Sequence, residues 1–439
     1  MPPRRDGRSW GWTIPNGARR DLARGQTSPI GSERPVLIAG GGPVGVIAAL
    51  ALVRQGVPVH VFEADDHVNE QPRAATTHPA TLEMLADLDL VDEVIRRGLV
   101  ARTFQFWDRT SERMSAEFDH AVLKDDTRYP FVVQCEQHKL ANLGIERLRA
   151  TPGARVQFSS RVTAVELLDD RVEIAVDTGA GTERVAGSYL VAADGGRSTV
   201  RKALGIPFEG YTFPERFLVL TTPFDFAANR GCGFRSYFSD PDEWANLFKV
   251  AGTDGAGLWR AVFPTQPGET DEQVLNEVSV QRRLQKFFPK AGSYPVVHRN
   301  LYNVHQRVAA TFAKGRAFLA GDAAHVNNPI GGLGLNCGIH DAVELAGLLG
   351  RVLCDGEPDE VLALYDQRRR PINIEYVQQQ TIANKKRLEE KDPAARTASF
   401  AFLRRTADDP VAHRAFLLRT SLLESMRDRR GVPPDSRRP

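Results

Sequence analysis

The sequence feature that most constrains the fold is a glycine-rich turn between a strand pattern and a helix pattern near residue 40. Residues 35–39 are apolar, GGGPVG follows at 40–45, and a helix-forming segment leads to a second apolar strand pattern at 57–62 that ends at Glu63. Glycines with the spacing GxGxxG allow a tight turn, let backbone N–H groups touch a pyrophosphate and let the helix pack on the strand, while the later carboxylate accepts hydrogen bonds from ribose hydroxyls. This βαβ unit predicts dinucleotide binding by one set of residues: Gly40, Gly42, Pro43, Val44, Gly45 and Glu63.

A second glycine-rich loop lies far along the chain, within residues 314–350. A strand pattern at 317–320 ends in Gly321-Asp322, and a glycine cluster from Gly331 precedes a helix pattern that reaches Leu349. Glycine lets bare backbone approach a ligand, and a helix N-terminus presents unpaired N–H groups with about half a positive charge. The ligand of this loop is therefore expected to carry or acquire negative charge.

A third motif, YLVAADGGRSTVR, occupies residues 189–201 and places Asp194-Gly195 at the end of a strand pattern. Taken alone, this motif is compatible with a capped turn, because Asp-Gly is common in turns. Gly321-Asp322 taken alone is likewise compatible with an N-capping Asp on a surface helix. The order of all three motifs along the chain is more specific than any one of them.

In this order the motifs resemble those of the group A flavoprotein monooxygenases, which have the para-hydroxybenzoate hydroxylase fold, and the resemblance extends from Val36 to Arg370. It implies an α/β protein with a Rossmann-like FAD-binding domain, an inserted and mainly antiparallel β-sheet substrate domain, and C-terminal helices. It also implies an enzyme that uses NADPH or NADH together with O2. Such an enzyme hydroxylates a phenolic or heteroaromatic small molecule through a flavin C4a-hydroperoxide.

The same resemblance implies roles for individual residues. Pro329, Gly331 and Gly332 would border the oxygen-reacting face of the flavin, and the helix N-terminus near residues 333–336 would stabilise the anion of reduced flavin. Beyond the first motif, the implied cofactor-binding residues are Arg73, Gln134, Asp194, Gly195, Gly321, Asp322, Gly334, Leu335 and Asn336.

The residues that activate the substrate have no motif of their own. Electrophilic hydroxylation favours a ring made more nucleophilic by partial loss of a phenol proton, so a Tyr, His or Arg beside the ring is expected. The predicted catalytic candidates are His78, Tyr211, Arg235 and Tyr237, with Arg260 and Asn327 as further candidates in the substrate layer. His325, close to Asp322, is expected to be structural or flavin-adjacent.

The predicted domain organisation is discontinuous. Residues 1–33 are rich in Arg, Gly and Pro and are interpreted as a disordered leader. The FAD-binding domain is predicted to comprise 34–103, 129–206 and 306–370, the substrate domain 104–128 and 207–305, and the C-terminal helices and tail 371–439.

Composition excludes several classes of function. The formal net charge is only +2 and the arginines are scattered, so no nucleic-acid partner is expected. Without a run of 18 apolar residues no stable membrane insertion is expected. The four cysteines are far apart and are typical of reduced cysteines in a cytosolic protein, so a cytoplasmic location is predicted. The cysteines and histidines show no metal-ligand spacing, so no metal is expected. A homodimer is left open.

Three alternatives remain at the level of sequence. The pattern WxWxIP at Trp10–Pro15 resembles a signature of flavin-dependent halogenases, although it stands ahead of the first strand. An FAD dehydrogenase or reductase could use the same cofactor frame without oxygen transfer. The alternative outside enzymes is a flavin-binding interaction protein.

Overall fold

The computed structural model describes residues 34–252 and 255–428. In chain order the strands are β1 (Val36–Ala39), β2 (Val59–Phe62), β3 (Thr76–Thr77), β4 (Leu99–Ala101), β5 (Thr103–Asp108), β6 (Arg113–Asp119), β7 (Val132–Gln134), β8 (Ala154–Gln157), β9 (Arg161–Leu167), β10 (Val172–Asp177), β11 (Thr182–Gly187), β12 (Leu190–Ala192), β13 (Phe208–Thr222), β14 (Arg235–Ser239), β15 (Ala245–Val250), β16 (Leu258–Pro264), β17 (His298–Ala309), β18 (Ala313–Lys314), β19 (Ala317–Leu319) and β20 (His325–Val326).

The α-helices in chain order are α1 (Pro43–Val53), α2 (Pro79–Asp87), α3 (Val91–Arg97), α4 (Gln137–Arg149), α5 (Thr199–Ala203), α6 (Phe226–Arg230), α7 (Asp271–Leu275), α8 (Glu277–Phe287), α9 (Gly334–Leu353), α10 (Ala363–Ile372), α11 (Gln379–Glu389), α12 (Pro393–Asp408), α13 (Pro410–Thr420) and α14 (Leu423–Asp428). Single 3₁₀ turns occur at His120–Leu123, Gly321–Ala323 and Asp359–Leu362, and a π-helical segment spans Asn373–Gln378. None of the described helices is long and apolar enough to cross a membrane.

A mainly parallel sheet forms the first layer. Its strand order is β18-β19-β12-β1-β2-β8, in which β19, β12, β1, β2 and β8 run parallel and only β18 is antiparallel. β1, β2, β12 and β19 are wholly buried, as expected for strands covered on both faces. The order reverses between β1 and β12, which is the position where doubly wound sheets bind dinucleotides.

Helices α1 and α9 pack closely against each other over this sheet. A Cβ added at Gly338 of α9 would lie 2.7 Å from the Val44 side chain of α1 and 3.0 Å from the Cα of Gly321. Such distances are shorter than real Cβ contacts, so this glycine allows the two helices and the Gly321 turn to approach one another. The helix after the first glycine turn and the helix after the last one are thereby held side by side.

An eight-stranded, mainly antiparallel sheet forms the second layer, in the order β20-β17-β13-β16-β15-β14-β5-β6. One face packs against α7 and α8 through Leu218, Leu220, Trp259, Phe263 and Phe287. The opposite face carries Phe217, Val219 and Val262, which cluster with Ile330 of the second glycine-rich loop and Leu388 of α11. Together with the parallel sheet, this layer confirms the predicted α/β class.

The C-terminal helices are joined to the second sheet by charged contacts. Arg396 of α12 donates to Asp108 at 2.7 Å, and Arg414 of α13 makes a two-pronged contact with Asp126 at 2.6 and 2.8 Å. Two parallel N–H···O bonds fix the orientation of a guanidinium as well as attracting it. Helix α13 is thus positioned against the turn at His120–Leu123.

The sequence patterns predict single helices over 78–98 and 271–288 and a single strand over 185–192, and the structure divides each of these elements. The predicted helix over 78–98 is two helices, because Asp89 adopts the left-handed conformation with φ of 55°. The predicted strand over 185–192 separates into β11 and β12, which belong to different sheets. The predicted helix over 271–288 is interrupted at Asn276, whose side chain accepts from the Ser279 N–H and caps α8. Periodicity alone did not reveal these breaks.

Candidate functional site

The three glycine-containing motifs meet at one edge of the parallel sheet. β1, β12 and β19 end side by side, and the residues that follow them are hydrogen-bonded in sequence across the edge. Ala193 N–H donates to Ala39 at 2.8 Å, Ala320 N–H donates to Ala192 at 2.9 Å, and Gly40 N–H donates to Phe62 at 2.8 Å. Because the carboxyl ends of parallel strands point the same way, Gly40, Asp194 and Asp322 lie around a single crevice.

The first glycine turn combines a tight fit with an open surface. Gly40 has φ of 105°, and a Cβ there would lie 2.3 Å from the Ala193 carbonyl oxygen, while one at Gly45 would lie 2.0 Å from the Gly40 oxygen. In contrast, a Cβ at Gly42 would meet no atom within 4 Å. The outer residues therefore shape the turn, and Gly42 presents bare backbone to the crevice.

Glu63 closes this turn. Its carboxylate accepts from the Gly41 N–H at 2.6 Å and from the Asp65 N–H at 3.0 Å. A carboxylate has about four acceptor positions, so two remain for hydroxyl groups of a ligand.

Two buried polar atoms around the crevice lack hydrogen-bond partners in the described residues. Gln134 is fully buried, and its Oε1 accepts from the Thr76 hydroxyl at 2.9 Å while its Nε2 has no partner. Asp194 accepts from the Val200 N–H through Oδ2, and its Oδ1 is unpartnered. An unpaired buried donor or acceptor costs about 1–3 kcal/mol, so these atoms indicate a polar ligand.

Asp322 and Arg73 lie close enough for their charges to interact. Desolvation by the surrounding protein raises the pKa of Asp322, and the charges of His325 and Arg73 oppose this shift. Arg73 is exposed, and its carbonyl accepts from Arg260 Nη1 at 2.9 Å. The sequence-predicted pair is therefore brought to the same side of the crevice.

The loop before α9 is fixed by side chains from elsewhere in the chain. Gly331 and Gly332 have φ of 110° and 68°, conformations that favour glycine. His78 Nε2 donates to the Gly331 carbonyl at 2.9 Å, and Asn336 Nδ2 donates to the Gly332 carbonyl at 2.6 Å. Pro329 at the start of the loop is exposed.

The side chain of Asn336 is used within the protein. Its Oδ1 accepts from the His78 N–H at 2.8 Å, and its Nδ2 also donates to the Thr76 carbonyl at 2.8 Å. The Asn336 side chain thus links β3 and the start of α2 to α9. The groups left for an anionic ligand are the backbone N–H of Asn336 and those of Gly334 and Leu335 in the first helical turn.

A buried ion-pair network lies behind the Gly321 turn. Asp341 accepts from His325 at 2.6 Å, from Arg369 at 2.5 Å and from the Gly321 N–H at 3.1 Å. Burial raises the pKa of Asp341, but the charges of Arg369 and His325 outweigh it, so the net pKa is lowered. Candidate ligand atoms of His325, Cys337 and Asp341 lie within 4.8 Å of one another, yet Arg369 contacts both Asp341 and the Cys337 sulfur and supplies the positive charge there.

A cavity opens between the second sheet and the Gly331 loop. It brings together four sequence-predicted residues, His78, Arg235, Tyr237 and Gly331. The remaining lining residues are Phe104, Phe106, His120, Ile330, Gln380, Asn384, Leu388, Phe416 and Thr420. Most of this wall is aromatic or aliphatic, with a few convergent polar groups, as is typical of a small-molecule site.

Arg235 is the main charge of this cavity. Its side chain is 5% exposed, it donates to the Tyr237 hydroxyl at 3.1 Å, and it lies 5.2 Å from the centre of the Phe104 ring. No carboxylate of the described residues lies within ion-pair distance, and its Nη1 has no partner. A buried cation without a counter-ion is costly, and an anionic ligand would supply the missing partner.

The two histidines of the cavity are held neutral. Burial, followed by the charge of Arg235, sets the pKa of His78 well below its ordinary value and lowers the pKa of His120 to about 4. His120 Nδ1 donates to the Arg102 carbonyl at 2.8 Å. Neutral imidazoles leave Arg235 as the dominant electrostatic feature.

Tyr211 is the sequence-predicted candidate that does not reach the cavity. It lies beyond the register shift between Thr212 and Arg216, in the part of β13 that pairs only with β17. Its side chain is 46% exposed and packs edge-on against Phe213. The structure thus contradicts the predicted catalytic role of Tyr211.

Several cavity residues had no sequence signal. Phe416 and Thr420 come from α13, about 180 residues after Arg235, and a helix pattern does not say what the helix covers. Asn327 is not a lining residue, and Gly332 packs on Thr76 beside the cavity. Arg260 is 5% exposed on the same sheet face, where it pairs in register with Thr221.

Comparison with known proteins matches the chain to relatives with named functions. A family model described as "FAD binding domain" matches residues 33–380. Para-nitrophenol 4-monooxygenase of Pseudomonas sp. (strain WBC-3) is 35% identical over 89% of this chain and 96% of its own. 6-Hydroxy-3-succinoylpyridine 3-monooxygenase HspB of Pseudomonas putida is 33% identical over 82% of this chain and 90% of its own. The crystal structure of p-nitrophenol 4-monooxygenase PnpA from Pseudomonas putida DLL-E4 superposes with a TM-score of 0.84 at 33% identity, covering 90% of this chain and 98% of that one.

The crevice has the donors and the space that FAD needs. The bare backbone at Gly42 leaves room for a pyrophosphate, and Glu63 keeps free acceptor positions for ribose hydroxyls. The unpartnered Gln134 Nε2 and Asp194 Oδ1 offer a donor and an acceptor to the cofactor. The N-terminus of α9 directs its free N–H groups toward negative charge.

Proposed function

The chain belongs to the group A FAD-dependent aromatic monooxygenases, and on that premise we propose that it oxygenates a phenol at the ring carbon para to the hydroxyl group. That carbon would carry an electron-withdrawing substituent, which is displaced. The observation that carries the choice of a phenol is Arg235, a buried cation of the cavity without a carboxylate partner among the described residues.

Membership of this family confirms the predicted use of FAD and the predicted aromatic monooxygenase activity. The relatives also favour hydroxylation over the halogenase alternative. The WxWxIP pattern that suggested halogenation lies outside the described residues. The choice of NADPH or NADH and the existence of a homodimer stay open, and the lack of a nucleic-acid partner and the cytoplasmic location stay predictions.

The position of oxygenation follows from the names of two relatives. One acts at carbon 4 of para-nitrophenol and the other at carbon 3 of a 6-hydroxypyridine with a succinoyl group at that carbon. In both names the reacting carbon lies para to the hydroxyl and already carries an electron-withdrawing group. We propose the same substrate pattern for this chain.

The cofactor, when bound and reduced by NAD(P)H, activates O2 for transfer of one oxygen atom to the ring. We propose that Gly42 and Glu63 hold its adenosine and pyrophosphate part, with Arg73, Asp194 and Asp322 along its chain. The backbone N–H groups at the start of α9 would stabilise negative charge on the reduced ring, because a helix N-terminus favours an anion by about 0.3–1 kcal/mol or more when it is buried.

The chain's own side chains orient the phenol. Arg235 Nη1 would donate to the phenol oxygen, and Tyr237 would add a second donor, because its hydroxyl oxygen accepts from Arg235 and keeps its own hydrogen. Two donors stabilise the phenolate, whose extra electron density lies at the ortho and para carbons. The opposite end of the ring would then face the Gly331 side of the cavity.

The same cavity limits access of water. Phe104, Phe106 and Phe416 form an aromatic wall, and Phe416 lies 4.5 Å from Phe118 between ring centroids, behind the cavity. Exclusion of water suppresses loss of activated oxygen as peroxide.

The test uses the purified, FAD-loaded protein with 4-nitrophenol and either NADPH or NADH. The overall reaction consumes one nitrophenol, one O2 and one reduced nicotinamide, and yields benzoquinone, nitrite, water and oxidised nicotinamide. We expect nitrite and nicotinamide oxidation in equal amounts, with little peroxide. Nicotinamide oxidation that yields peroxide alone would contradict oxygenation of this phenol. An oxygenated product that keeps its nitro group would contradict the proposed position of attack.

A further inference from the structure

His78 is the buried titratable group of the cavity whose chemistry the orientation of the substrate leaves unused. It is 2% exposed and stands at the N-cap of α2, where Asn336 accepts from its backbone N–H. Its ring is fixed by one hydrogen bond to the Gly331 carbonyl. A carbonyl oxygen only accepts, so the hydrogen of the neutral imidazole must be on Nε2.

This tautomer leaves a lone pair on Nδ1. Nδ1 is buried and has no hydrogen-bond partner in the described part of the chain. A buried acceptor without a donor costs about 1–3 kcal/mol, so the site is completed by a donor that arrives with the ligand. A phenol hydroxyl is such a donor.

We propose that Nδ1 of His78 is the general base that takes the hydroxyl proton of the phenol while Arg235 holds the resulting oxygen anion. This inference rests on the proposed function and deepens it. The phenol O–H bond breaks and its electron pair becomes the second bond of the first quinone C=O, while the displaced ring pair forms the bond from the para carbon to the oxygen atom that comes from O2. The new para hydroxyl then loses its proton to solvent and forms the second C=O, and the para C–N bond breaks with its pair leaving on nitrite. The phenol proton forms N–H on Nδ1 and returns to solvent after the product leaves.

The surroundings of His78 suit this role. The charged or titratable groups whose fields act on it in the described residues are Arg235, His120 and His340. Burial and Arg235 keep the pKa of His78 well below its ordinary value, so the free enzyme presents an unprotonated ring. A weak base suffices, because the hydroxyl of a ring that is losing electrons to an electrophile becomes strongly acidic.

The experiment compares two variants, in each of which an amide side chain replaces a histidine and keeps the hydrogen bond that the histidine donates. His78→Gln retains an N–H donor near the position of Nε2 for Gly331 and removes the base at Nδ1. His120→Asn retains a donor at the position of Nδ1 for Arg102. Each holoenzyme is assayed with a series of para-substituted phenols, some ionised and some un-ionised at the assay pH.

We expect His78→Gln to lower kcat by about 10²- to 10⁴-fold for un-ionised phenols, which is the usual contribution of a general base. Its rate with phenols that are already ionised should stay close to that of the wild type, because no proton is left to remove. Any loss in His120→Asn should be the same for every phenol.

A loss in His78→Gln that is equal for ionised and un-ionised phenols would overturn the inference and indicate a structural role. Dependence on substrate ionisation in His120→Asn instead would overturn it as well. Flavin content of each variant, measured from absorbance, separates loss of cofactor from loss of the base. A wild-type enzyme with no phenol-dependent activity would refute the proposed function, which is a different outcome from failure of the base assignment.

Discussion

Replacement of Arg235 by Met should weaken phenolate binding without destabilising the protein. The guanidinium is 5% exposed and has no carboxylate within ion-pair distance among the described residues, so its removal leaves no buried charge behind. Methionine occupies a similar volume and adapts to irregular space. Loss of a buried, unpaired charge is therefore expected to leave the free energy of unfolding unchanged or slightly raised.

The effect on the ligand should be large. A hydrogen bond to a charged group contributes about 1.5–3 kcal/mol, which corresponds to a rise in the Kd of 4-nitrophenolate of about 10- to 150-fold. Binding is measured as the change in flavin absorbance of the oxidised enzyme, and stability as urea unfolding. The neutral analogue nitrobenzene should lose far less affinity, since it offers no phenolate oxygen to Arg235.

Arg369→Met is the matched control. Arg369 is also buried, but it donates to Asp341 at 2.5 Å, so its removal strands a buried carboxylate and should cost about 3–5 kcal/mol of stability. If Arg235→Met were destabilised as much as Arg369→Met, or if it lost affinity for nitrobenzene and nitrophenolate equally, the assignment of Arg235 as the anion partner would be refuted.

Three further predictions concern the crevice, the cavity wall and acid stability. Gly42→Ala should fold normally, because a Cβ there meets no protein atom within 4 Å, but the added methyl group should lower the affinity for FAD. Gly40→Ala should fail to fold, because its Cβ would lie 2.3 Å from a carbonyl oxygen. Flavin content and thermal unfolding check this pair. Phe416→Ala should lower KM for bulkier phenols and raise it for 4-nitrophenol, whereas Phe402→Ala, on a side chain that is 48% exposed, should change neither value. The pKa of His120 falls from 6.5 to about 4 on folding, so between these pH values the unfolded chain binds more protons than the folded one. The contribution of neutral His120 to stability is therefore fully present above about pH 6.5 and is lost as the pH falls toward 4. In urea unfolding at several pH values, His120→Asn should reduce the slope of the free energy of unfolding by up to about 1.4 kcal/mol per pH unit.

The parts of the fold that could be predicted are those specified by nearby residues. The βαβ unit from β1 to Glu63 is one such part, because glycine spacing, helix formers and strand patterns all lie within 30 residues and agree with one another. The crevice also followed from sequence, since strand ends of a parallel sheet must meet at one edge. The strand patterns that precede Asp194 and Asp322 are therefore enough to place these two residues together.

The substrate cavity could not be predicted in the same way. Its wall joins His78 on α2, Arg235 on β14 and Phe416 on α13, and no local pattern records that these elements meet. Tyr211 and Tyr237 both lie in strand patterns, yet a register shift in β13 separates Tyr211 from the cavity. Asn336 was predicted to bind the cofactor as part of a helix N-terminus, but no local pattern showed that its side chain would bond Thr76 of β3 and the His78 N–H at the start of α2, because tertiary packing sets these contacts.

Transfer of oxygen from O2 to the phenol is the central claim, and isotope labelling tests it most directly. The FAD-loaded enzyme is supplied with NAD(P)H, 4-nitrophenol and heavy-isotope dioxygen, and the product is reduced at once to hydroquinone and analysed by mass spectrometry. We predict one labelled oxygen atom in each hydroquinone, with nitrite released in equal amount. Product oxygen that derives from water, or complete conversion of the label to peroxide, would contradict the claim.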